Sequence, residues 1–416
     1  LASMYDYGFF GLLQLSSRIR LSNAKFSLIH LVVPECSLHS RTHFGEPLPI
    51  IIRNEKLLEP TDKYGTIDLD HGDTLTLSCE GAGYITHPNA IQELTTASVT
   101  CEGGQSFRND DWLNAPSYFS YFKCFSPPNH VSQRTNRTCY EGNPVYEVGY
   151  RVQNNFYPLY ESCFNQYSMN PLYSKYTQKP YNFNFQTRVD RPYFIAGDIY
   201  NFLPVEFLFS PRGLSDAVTR LVGRVSDYDI NFKQQLSRGH LAAKTDFVFA
   251  FGQRGTFHYV NCAPQWKEFN GGNWNTLEVD LRHHIHVADY NTVIYTGTYG
   301  VTQLRNQFRD RVDIYLTTDQ NNNLVIPVPQ YYYKVVYEPS SRLGTAFVGI
   351  NNPYYSQQEA YELFFCEDMC RHNRNFSWLT WHPDNPIEGY TFCCTVQDFR
   401  NTIRHLPQFE VVGLLY

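Results

Sequence analysis

Residues 236–244 include the first side chains whose types and spacing suit chemistry. Arg238 and His240 are two residues apart, so in an extended segment their side chains lie on the same side. A cation beside an imidazole that titrates near neutral pH suits a phosphodiester and an attacking water. Gly239 between them would let a substrate backbone approach closely. The alternative is a strand end with a surface arginine and a structural histidine.

A second polar group begins about 30 residues later, at the start of a predicted helix over 270–286. Asn270 precedes two glycines, and Glu278 follows eight residues on, rotated by about 80° at 3.6 residues per turn. An amide oxygen and a carboxylate that face one groove form a sparse oxygen site, and Mg²⁺ accepts few protein ligands because it keeps several waters. The alternatives are that Asn270 caps the helix and that Glu278 pairs with Arg282.

The elements that must position these residues follow from hydrophobic periodicity. Apolar residues at spacings of 3, 4 and 4 predict the helix over 270–286, and shorter helices are predicted at 213–223 and 357–365. Aromatic and β-branched runs bounded by turn residues predict strands. These runs are at 74–78, 97–100, 193–195, 247–251, 257–260, 292–295 and 331–337. The sequence therefore predicts an α+β class with a mixed central sheet.

The length of 416 residues predicts two or three domains. We expect an N-terminal extension or propeptide-like segment at 1–60, a small β-rich module at 61–150 and a larger domain at 151–416. No run approaches 18 apolar residues, so no membrane span is predicted. Most Tyr and Phe side chains are expected in the sheet core, with stacking on unpaired bases as the alternative.

The charge balance is mildly acidic, with 34 Lys and Arg against 40 Asp and Glu, a net charge of −6 with His neutral. A nucleic-acid-binding protein of this composition needs a local basic groove, because the chain as a whole does not attract phosphate. The sequence has no GxxxxGK[ST], GxSxG or HExxH motif. A nucleotide cofactor, serine hydrolysis and zincin chemistry therefore lack support.

Eleven cysteines are scattered along the chain without a CxxC pair, unlike the usual zinc and thioredoxin motifs. Two N-glycosylation sequons, at Asn136 and Asn375, also fit the secretory route, so we expect several disulfides. The expected pairs are Cys79 with Cys101, Cys124 with Cys139, and Cys366 and Cys370 with Cys393 and Cys394. An odd count leaves one thiol unpaired, and Cys36 is the expected one.

Two spaced motifs together resemble the DNA/RNA non-specific endonuclease family, which has a ββα-metal site. They are Arg238-Gly239-His240 and, further on, Asn261, Pro264, Gln265, Asn270-Gly271-Gly272-Asn273-Trp274, Leu277 and Glu278. Flanking segments at 244–247, 295–300 and 328–336 match as well. The likeness is to the secreted arthropod branch, often called double-stranded ribonucleases. It implies a ββα-metal nuclease core within a non-specific nuclease domain at 151–416.

The resemblance implies catalytic roles for residues at matching positions. His240 matches the general base that activates water. Asn270 matches the one direct protein ligand of Mg²⁺, for which Mn²⁺ is an alternative. Glu278 matches the acid that holds the metal through water. Attack by water from the His240 side would leave a 5′-phosphate.

The resemblance also implies substrate contacts. Arg238 matches an arginine that contacts phosphate, Asn261 matches an asparagine that supports the site, and both are expected to contribute to substrate binding with Lys244. The family has a further transition-state arginine upstream of the histidine, for which the candidates are Arg188, Arg191 and Arg212. One position departs from the family pattern, because many members have Asp where Ser237 stands.

These observations lead to the expectation of a secreted, Mg²⁺-dependent endonuclease that cuts RNA and DNA, with double-stranded RNA as the expected substrate. Family analogy implies the gut lumen or saliva. One alternative is an extracellular nucleic-acid-binding protein with weak or no turnover, for which Ser237 and the acidic net charge leave room. Another is a Tyr-rich, cross-linked structural protein of the extracellular space.

Overall fold

The computed structural model describes residues 35–200, 203–223 and 235–416 of the chain. Of the predicted N-terminal extension, residues 1–34 lie outside the described residues. Two large antiparallel sheets organise the described chain, and the shorter strand pairs and the helices pack around them.

The first sheet has six strands and lies within residues 50–118. In spatial order its strands are β3 (Lys56–Leu57), β2 (Ile50–Arg53), β5 (Thr74–Ser78), β7 (Thr96–Gly103), β8 (Ser106–Arg108) and β9 (Ser117–Tyr118). Two short pairs accompany it: β1 (Cys36–His39) with β4 (Thr66–Leu69), and β6 (Ile85–Thr86) with β10 (Lys123–Cys124). Leu75, Leu77 and Val99 are buried, because alternate side chains of a strand turn to one face.

The second sheet has eight strands and forms the centre of the molecule's larger part. In spatial order they are β11 (Val131–Thr138), β12 (Pro144–Val152), β13 (Asn155–Asn165), β14 (Asn170–Gln178), β17 (Thr292–Tyr299), β22 (Tyr331–Glu338), β23 (Leu343–Ile350) and β24 (Thr391–Thr395). Both faces of β22 and β23 are covered, so these strands consist almost entirely of buried residues.

Three further strand pairs and seven α-helices complete the described chain. The pairs are β15 (Leu236–His240) with β16 (Cys262–Trp266), β18 (Gln303–Arg305) with β19 (Arg311–Asp313), and β20 (Tyr315–Thr318) with β21 (Leu324–Pro327). The helices are α1 (Val205–Leu208), α2 (Pro211–Val222), α3 (Ala250–Gly255), α4 (Lys267–Phe269), α5 (Asn275–Ala288), α6 (Gln357–Glu362) and α7 (Val396–Thr402). Among the described residues, none of these helices is long and apolar enough to cross a membrane.

The α+β class is confirmed, and the predicted helices appear as α2, α5 and α6. The buried face of α5 consists of Leu277, Leu281 and Ile285, as the periodicity predicts. The neighbouring strands of the eight-stranded sheet are all antiparallel, whereas the sequence predicted a mixed sheet.

Three aromatic runs that were predicted as strands are not strands. Residues 193–195 form no strand, 250–255 form a helix, and 259–261 form a 3₁₀ turn. Phe194 and Phe249 are nevertheless buried in the two larger hydrophobic clusters. A short buried apolar run has the same composition in a strand and in a buried turn, so periodicity does not distinguish them.

The two sheets do not follow the sequence-based division at residues 60 and 150. β2 and β3 join the first sheet although they precede residue 60, and β11 and most of β12 join the second although they precede residue 150. The change from the first group of strands to the eight-stranded sheet falls between Cys124 and Val131.

Five disulfides confirm the expected C-terminal pairing and correct the others. They are Cys36–Cys101, Cys79–Cys124, Cys139–Cys163, Cys366–Cys394 and Cys370–Cys393. The predicted bonds Cys79–Cys101 and Cys124–Cys139 are wrong. Because β5 and β7 are antiparallel, Cys79 and Cys101 lie at opposite ends of the pair. The prediction that Cys36 is unpaired is also wrong, and the free thiol in the described residues is the buried Cys262.

Buried histidines predict acid sensitivity. Burial lowers the pKa of His130 and of His405 to about 4, and it also lowers the pKa of His258 well below its usual value. In the unfolded chain these groups titrate near 6.5, so below that pH the unfolded state binds protons that the folded state does not. We expect the free energy of unfolding to fall as pH decreases from 6.5 towards 4, by about 1.4 kcal/mol per pH unit for each such histidine.

The variant His405→Gln tests one of these contributions, because glutamine can keep the hydrogen bond that joins His405 to the Tyr333 hydroxyl at 2.8 Å. Urea unfolding at pH 7 and pH 5 should show the variant losing about 2 kcal/mol less stability than the wild type over that interval. An equal loss in both proteins would contradict the buried, neutral state of His405.

Candidate active site

Two antiparallel strands and the helix that follows them form a ββα unit. β15 pairs with β16, with Ser237 opposite Gln265 and His240 opposite Cys262. The chain then continues through α4 and a π-helical turn, Asn270–Trp274, into α5. The first sequence motif therefore lies on one strand, and the second extends over the other strand and the start of the helix.

The turn Asn270–Trp274 depends on Gly272 and on Asn273. Gly272 has φ −94° and ψ −119°, and a Cβ there would lie 3.0 Å from the Cα of Glu388. Asn273 is buried, and its amide bonds to backbone groups of the segment 382–389. This segment therefore packs directly against the turn. π-Turns inside helices are frequent at functional sites, because they re-aim side chains.

Asn270 is tied to the strand that carries His240. Its Nδ2 donates a hydrogen bond to Ser237 Oγ at 3.1 Å, and the Ser237 hydroxyl donates to the backbone oxygen of Gln265 at 2.9 Å. Because the hydroxyl hydrogen is used, Ser237 can only accept from the amide, so Asn270 Oδ1 points away from it. No side-chain cap bond is formed at the start of α5, so Asn270 is not its cap.

Glu278 is the second oxygen donor and lies in the first turn of α5. Burial raises the pKa of its carboxyl to about 7, and the charges of Lys334 and Arg282 oppose this rise. Arg282 itself is buried and binds the carboxylate of Asp246 at 3.0 Å. The ion pairs of the described residues do not include the i,i+4 pair between Glu278 and Arg282, which was the alternative.

An amide oxygen with a fixed direction and a carboxylate on the following helix fit a divalent cation. Both are hard oxygen donors, and two protein donors suit Mg²⁺, which keeps most of its waters. Asn270 would provide the direct ligand and Glu278 would act through water. Asn270 and Glu278 therefore stay the predicted donor set for the ion.

His240 ends β15 against two aromatic rings. Its ring lies 5.0 Å from the ring of Phe194 and 4.8 Å from that of Phe257, and its Nε2 is buried without a hydrogen-bond partner. Burial, followed by the charges of Arg191, Arg238 and Lys244, lowers the pKa of His240 to about 3. The imidazole is therefore neutral at physiological pH, which is the form that accepts a proton.

Three cations surround this imidazole. Arg238 is exposed and its guanidinium stacks at 5.0 Å from the ring of Phe194. Arg191 lies 5.2 Å from the ring of Phe257. Lys244 donates a hydrogen bond to the backbone oxygen of Val189. Together they form a local cluster of positive charge, which an acidic chain needs in order to bind phosphate.

Arg191 is the upstream arginine that lies at the site. Partial burial and the charge of Arg238 lower its pKa, whereas Glu278 raises it, so Arg191 is close to both motifs. Arg212 lies on α2, is largely exposed and pairs with Asp216 at 3.6 Å. Arg188 is also exposed and has no interaction with the motif residues among the contacts of the described chain. Of the three candidates, Arg191 is therefore the one that the fold brings to His240.

β15 carries His240 and the serine that binds Asn270, and a phosphate that contacts both His240 and an ion on Asn270 would have to lie across the edge of this strand. Side chains alternate along a strand, so Arg238 and His240 lie on one side and Ser237 on the other. Ser237 and His240 are three residues apart, about 10 Å at 3.3 Å per residue. The neutral imidazole of His240 can take a proton, and the cations beside it can bind an anion. The oxygen donors of Asn270 and Glu278 can hold a metal.

Two sequence-based assignments need correction. Asn261 was expected to contribute to substrate binding, but it is fully buried, and its amide makes four hydrogen bonds within the protein. It holds the segment after His240 and has no group left for substrate. Gly239 does not face substrate, because a Cβ there would overlap Gln265 and Tyr332 of the core.

Comparison with known families agrees with this geometry. The profile of the DNA/RNA non-specific endonuclease family matches residues 141–399, well over half of the chain. The chain belongs to this family. Its members are metal-dependent nucleases, generally with a divalent cation, so membership supports endonuclease activity on nucleic acid.

Three relatives of this chain are described as salivary proteins. The "Salivary endonuclease" of Lutzomyia longipalpis is 26% identical over 83% of this chain and 76% of its own. "Salivary protein Tsal2A" of Glossina morsitans morsitans is 29% identical over 92% and 95%, and "Salivary protein Tsal1" is 28% identical over 71% and 73%. These relatives and the five disulfides indicate a secreted, extracellular protein.

A solved structure, described as the EndoG/EndoGI complex, is similar to 64% of this chain and 89% of its own, with 18% identity and a TM-score of 0.37.

Sequence reasoning missed the polar network behind the site. Asp246 is buried and accepts hydrogen bonds from Tyr176, Gln178 and Arg282, with Lys334 at 3.9 Å. The one sequence signal for Asp246 is its position in segment 244–247, which matches the family next to the first motif. The network fixes the start of the segment between the two motifs to the helix that carries Glu278.

The bond between Ser237 and Asn270 predicts a metal-affinity effect. Ser237→Ala removes the group that orients the amide, and a lost hydrogen bond of about 1 kcal/mol corresponds to roughly fivefold weaker divalent-metal binding. Mn²⁺ binding measured by electron paramagnetic resonance should show this change at an unchanged melting temperature. Ser37→Ala, which removes a serine–Asp68 bond on β1, is the matched control. Equal Mn²⁺ affinity in Ser237→Ala and the wild type would contradict the orienting role.

Proposed function

We propose that the protein is a secreted, Mg²⁺-dependent endonuclease that hydrolyses phosphodiester bonds of RNA, including double-stranded RNA, and of DNA, and leaves 5′-phosphates. Mn²⁺ is an alternative ion. The observation that carries the proposal is the Asn270–Ser237 bond, which fixes an amide oxygen beside the strand that ends in His240.

His240 acts as the general base for an attacking water. In the free protein burial, together with three nearby cations, lowers the pKa of its imidazole to about 3. A substrate phosphate bound among Arg191, Arg238 and Lys244 would offset their charge and raise that pKa, because a nearby anion favours the protonated form. The imidazole therefore becomes more basic when substrate is in place.

Arg238 and Arg191 bind the scissile phosphate, and Lys244 binds the phosphate or a neighbouring one. The guanidinium groups are held over the rings of Phe194 and Phe257, so their positions are set before substrate arrives. Such contacts recognise the backbone and carry no base sequence. They therefore suit both RNA and DNA, and a double helix is recognised by its shape.

Asn270 would hold the metal directly and Glu278 would hold its water shell. When bound there, a divalent ion neutralises the charge that develops on the phosphate and on the leaving 3′ oxygen. The protein's part is to direct Asn270 Oδ1, through Ser237, and to keep Glu278 on the same helix.

The alternative is an extracellular nucleic-acid-binding protein with weak or no turnover. The observation that favours it is Ser237, a neutral residue where many family members have Asp. A serine holds the amide of Asn270 but adds no negative charge near the metal. A protein of this kind would bind nucleic acid through the same arginines and cut it poorly.

Cleavage assays on double-stranded RNA, single-stranded RNA and DNA, with Mg²⁺ titration and EDTA, test the proposal. We expect His240→Ala to lower kcat by about 10²- to 10⁴-fold, the usual contribution of a general base, while nucleic-acid affinity remains. Asn270→Ala should abolish cleavage at an unchanged melting temperature. The matched controls are His71→Ala and Asn321→Ala, which change exposed residues in turns of the first sheet region and of residues 319–323.

Product ends and a direct comparison decide between the two candidates. Fragments that accept a kinase label only after phosphatase treatment have 5′-phosphates, as proposed. Near-normal cleavage by Asn270→Ala would remove it as the metal ligand. Tight binding by a wild type that cuts none of the substrates would establish the alternative.

We also propose that the extracellular protein carries N-linked glycans. Asn136 and Asn375 of the two sequons are both exposed, so both can accept a glycan. We expect the protein to be glycosylated and delivered to saliva or the gut lumen.

A further inference from the structure

A tyrosine stands almost fully exposed beside the cluster of positive charge around His240. From Arg191 to Ile195 the residues are alternately exposed and covered, so Arg191, Tyr193 and Ile195 share the outer side of an extended segment. Tyr193 is 94% exposed, the highest value among the large apolar and aromatic residues of the described chain, whereas the next residue, Phe194, is 8% exposed.

The segment that carries Tyr193 is held firmly at both ends. Lys244 binds the backbone oxygen of Val189, and Asp190 is hydrogen-bonded to Arg254. On the other side Ile195 exchanges backbone hydrogen bonds of 3.0 Å with Phe257 and Tyr259. The tyrosine is therefore not on a loose loop tip, because the backbone on either side of it is held next to the site.

The residues on either side of Tyr193 contact the groups of the candidate active site. Phe194, its neighbour in sequence, contacts the His240 ring at 5.0 Å and supports Arg238 at 5.0 Å. Arg191, two residues before Tyr193 and on the same side, lies 5.2 Å from the ring of Phe257, which in turn lies 4.8 Å from the ring of His240. A nucleotide whose phosphate binds at Arg191 would therefore bring its base within reach of the Tyr193 ring.

We propose that Tyr193 is a stacking platform for a nucleobase next to the scissile phosphate, an inference that rests on the proposed nuclease function. Stacking needs a free base face, and in a duplex both faces of each base are already covered by neighbours. The ligand of this subsite is therefore an unpaired base, in a single strand, a loop or a frayed end. Every base has such a face, so the contact adds affinity without sequence preference.

Binding of fluorescent oligonucleotides in EDTA tests this subsite without turnover. The probes are a single-stranded RNA with 2-aminopurine and a blunt RNA duplex of the same sequence, and a gel confirms that they stay intact. Tyr193→Ala should raise the Kd for the single strand about tenfold, the effect of losing one stacked base. Tyr193→Trp should stay within about twofold of the wild type, because an indole also stacks.

The controls separate stacking from a general loss of affinity. Tyr167→Ala changes another tyrosine that is 76% exposed, at the turn between β13 and β14, and should leave both Kd values unchanged. The duplex Kd should also be unchanged in Tyr193→Ala. Wild-type affinity of Tyr193→Ala for the single strand, or an equal loss for single strand and duplex, would overturn the proposal.

Failure of this inference and failure of the nuclease function give different results. If the wild type binds but does not cut in Mg²⁺, the nuclease proposal fails, and the Kd comparison still decides the role of Tyr193. If the wild type cuts and Tyr193→Ala binds single strands normally, only the stacking subsite is lost.

Discussion

The site depends on one hydrogen-bond relay between a strand and a helix. The backbone oxygen of Gln265 accepts the Ser237 hydroxyl, so Ser237 can only accept from Asn270. The two hydrogen bonds therefore determine that the Asn270 Nδ2 faces Ser237 and that the Asn270 Oδ1 faces away from it. Most of the other features hold the two ends of this relay in place: β15 pairs with β16, and the buried Asn273 anchors the turn.

A second constraint is the burial of charge around that relay. The imidazole of His240 is flanked by aromatic rings and three cations, and this combination keeps it neutral. Behind the helix, Asp246 is enclosed with Arg282 and Lys334, and breaking such a buried set is costly because it leaves a charge without a partner. The charge around His240 is therefore locally positive, although the chain carries a net charge of −6.

Much of this arrangement could be predicted from the sequence, because it is local. The spacing within Arg238-Gly239-His240 and the period of the helix over 270–286 depend only on strand and helix geometry. The rest depends on which elements meet. Cys79 and Cys101 end two neighbouring strands in the sequence, yet the antiparallel register separates them, and no local pattern contains that register. Asn261 lies inside the motif, but its burial is a tertiary fact.

We propose that His240 and an ion held by Asn270 act on one phosphodiester. Anomalous diffraction from crystals of the His240→Ala protein soaked with Mn²⁺ and a short oligonucleotide tests it most directly. The account predicts a manganese peak within bonding distance of Asn270 Oδ1, with a backbone phosphate between it and residue 240. A peak elsewhere, or a phosphate that does not lie between these two positions, would contradict it.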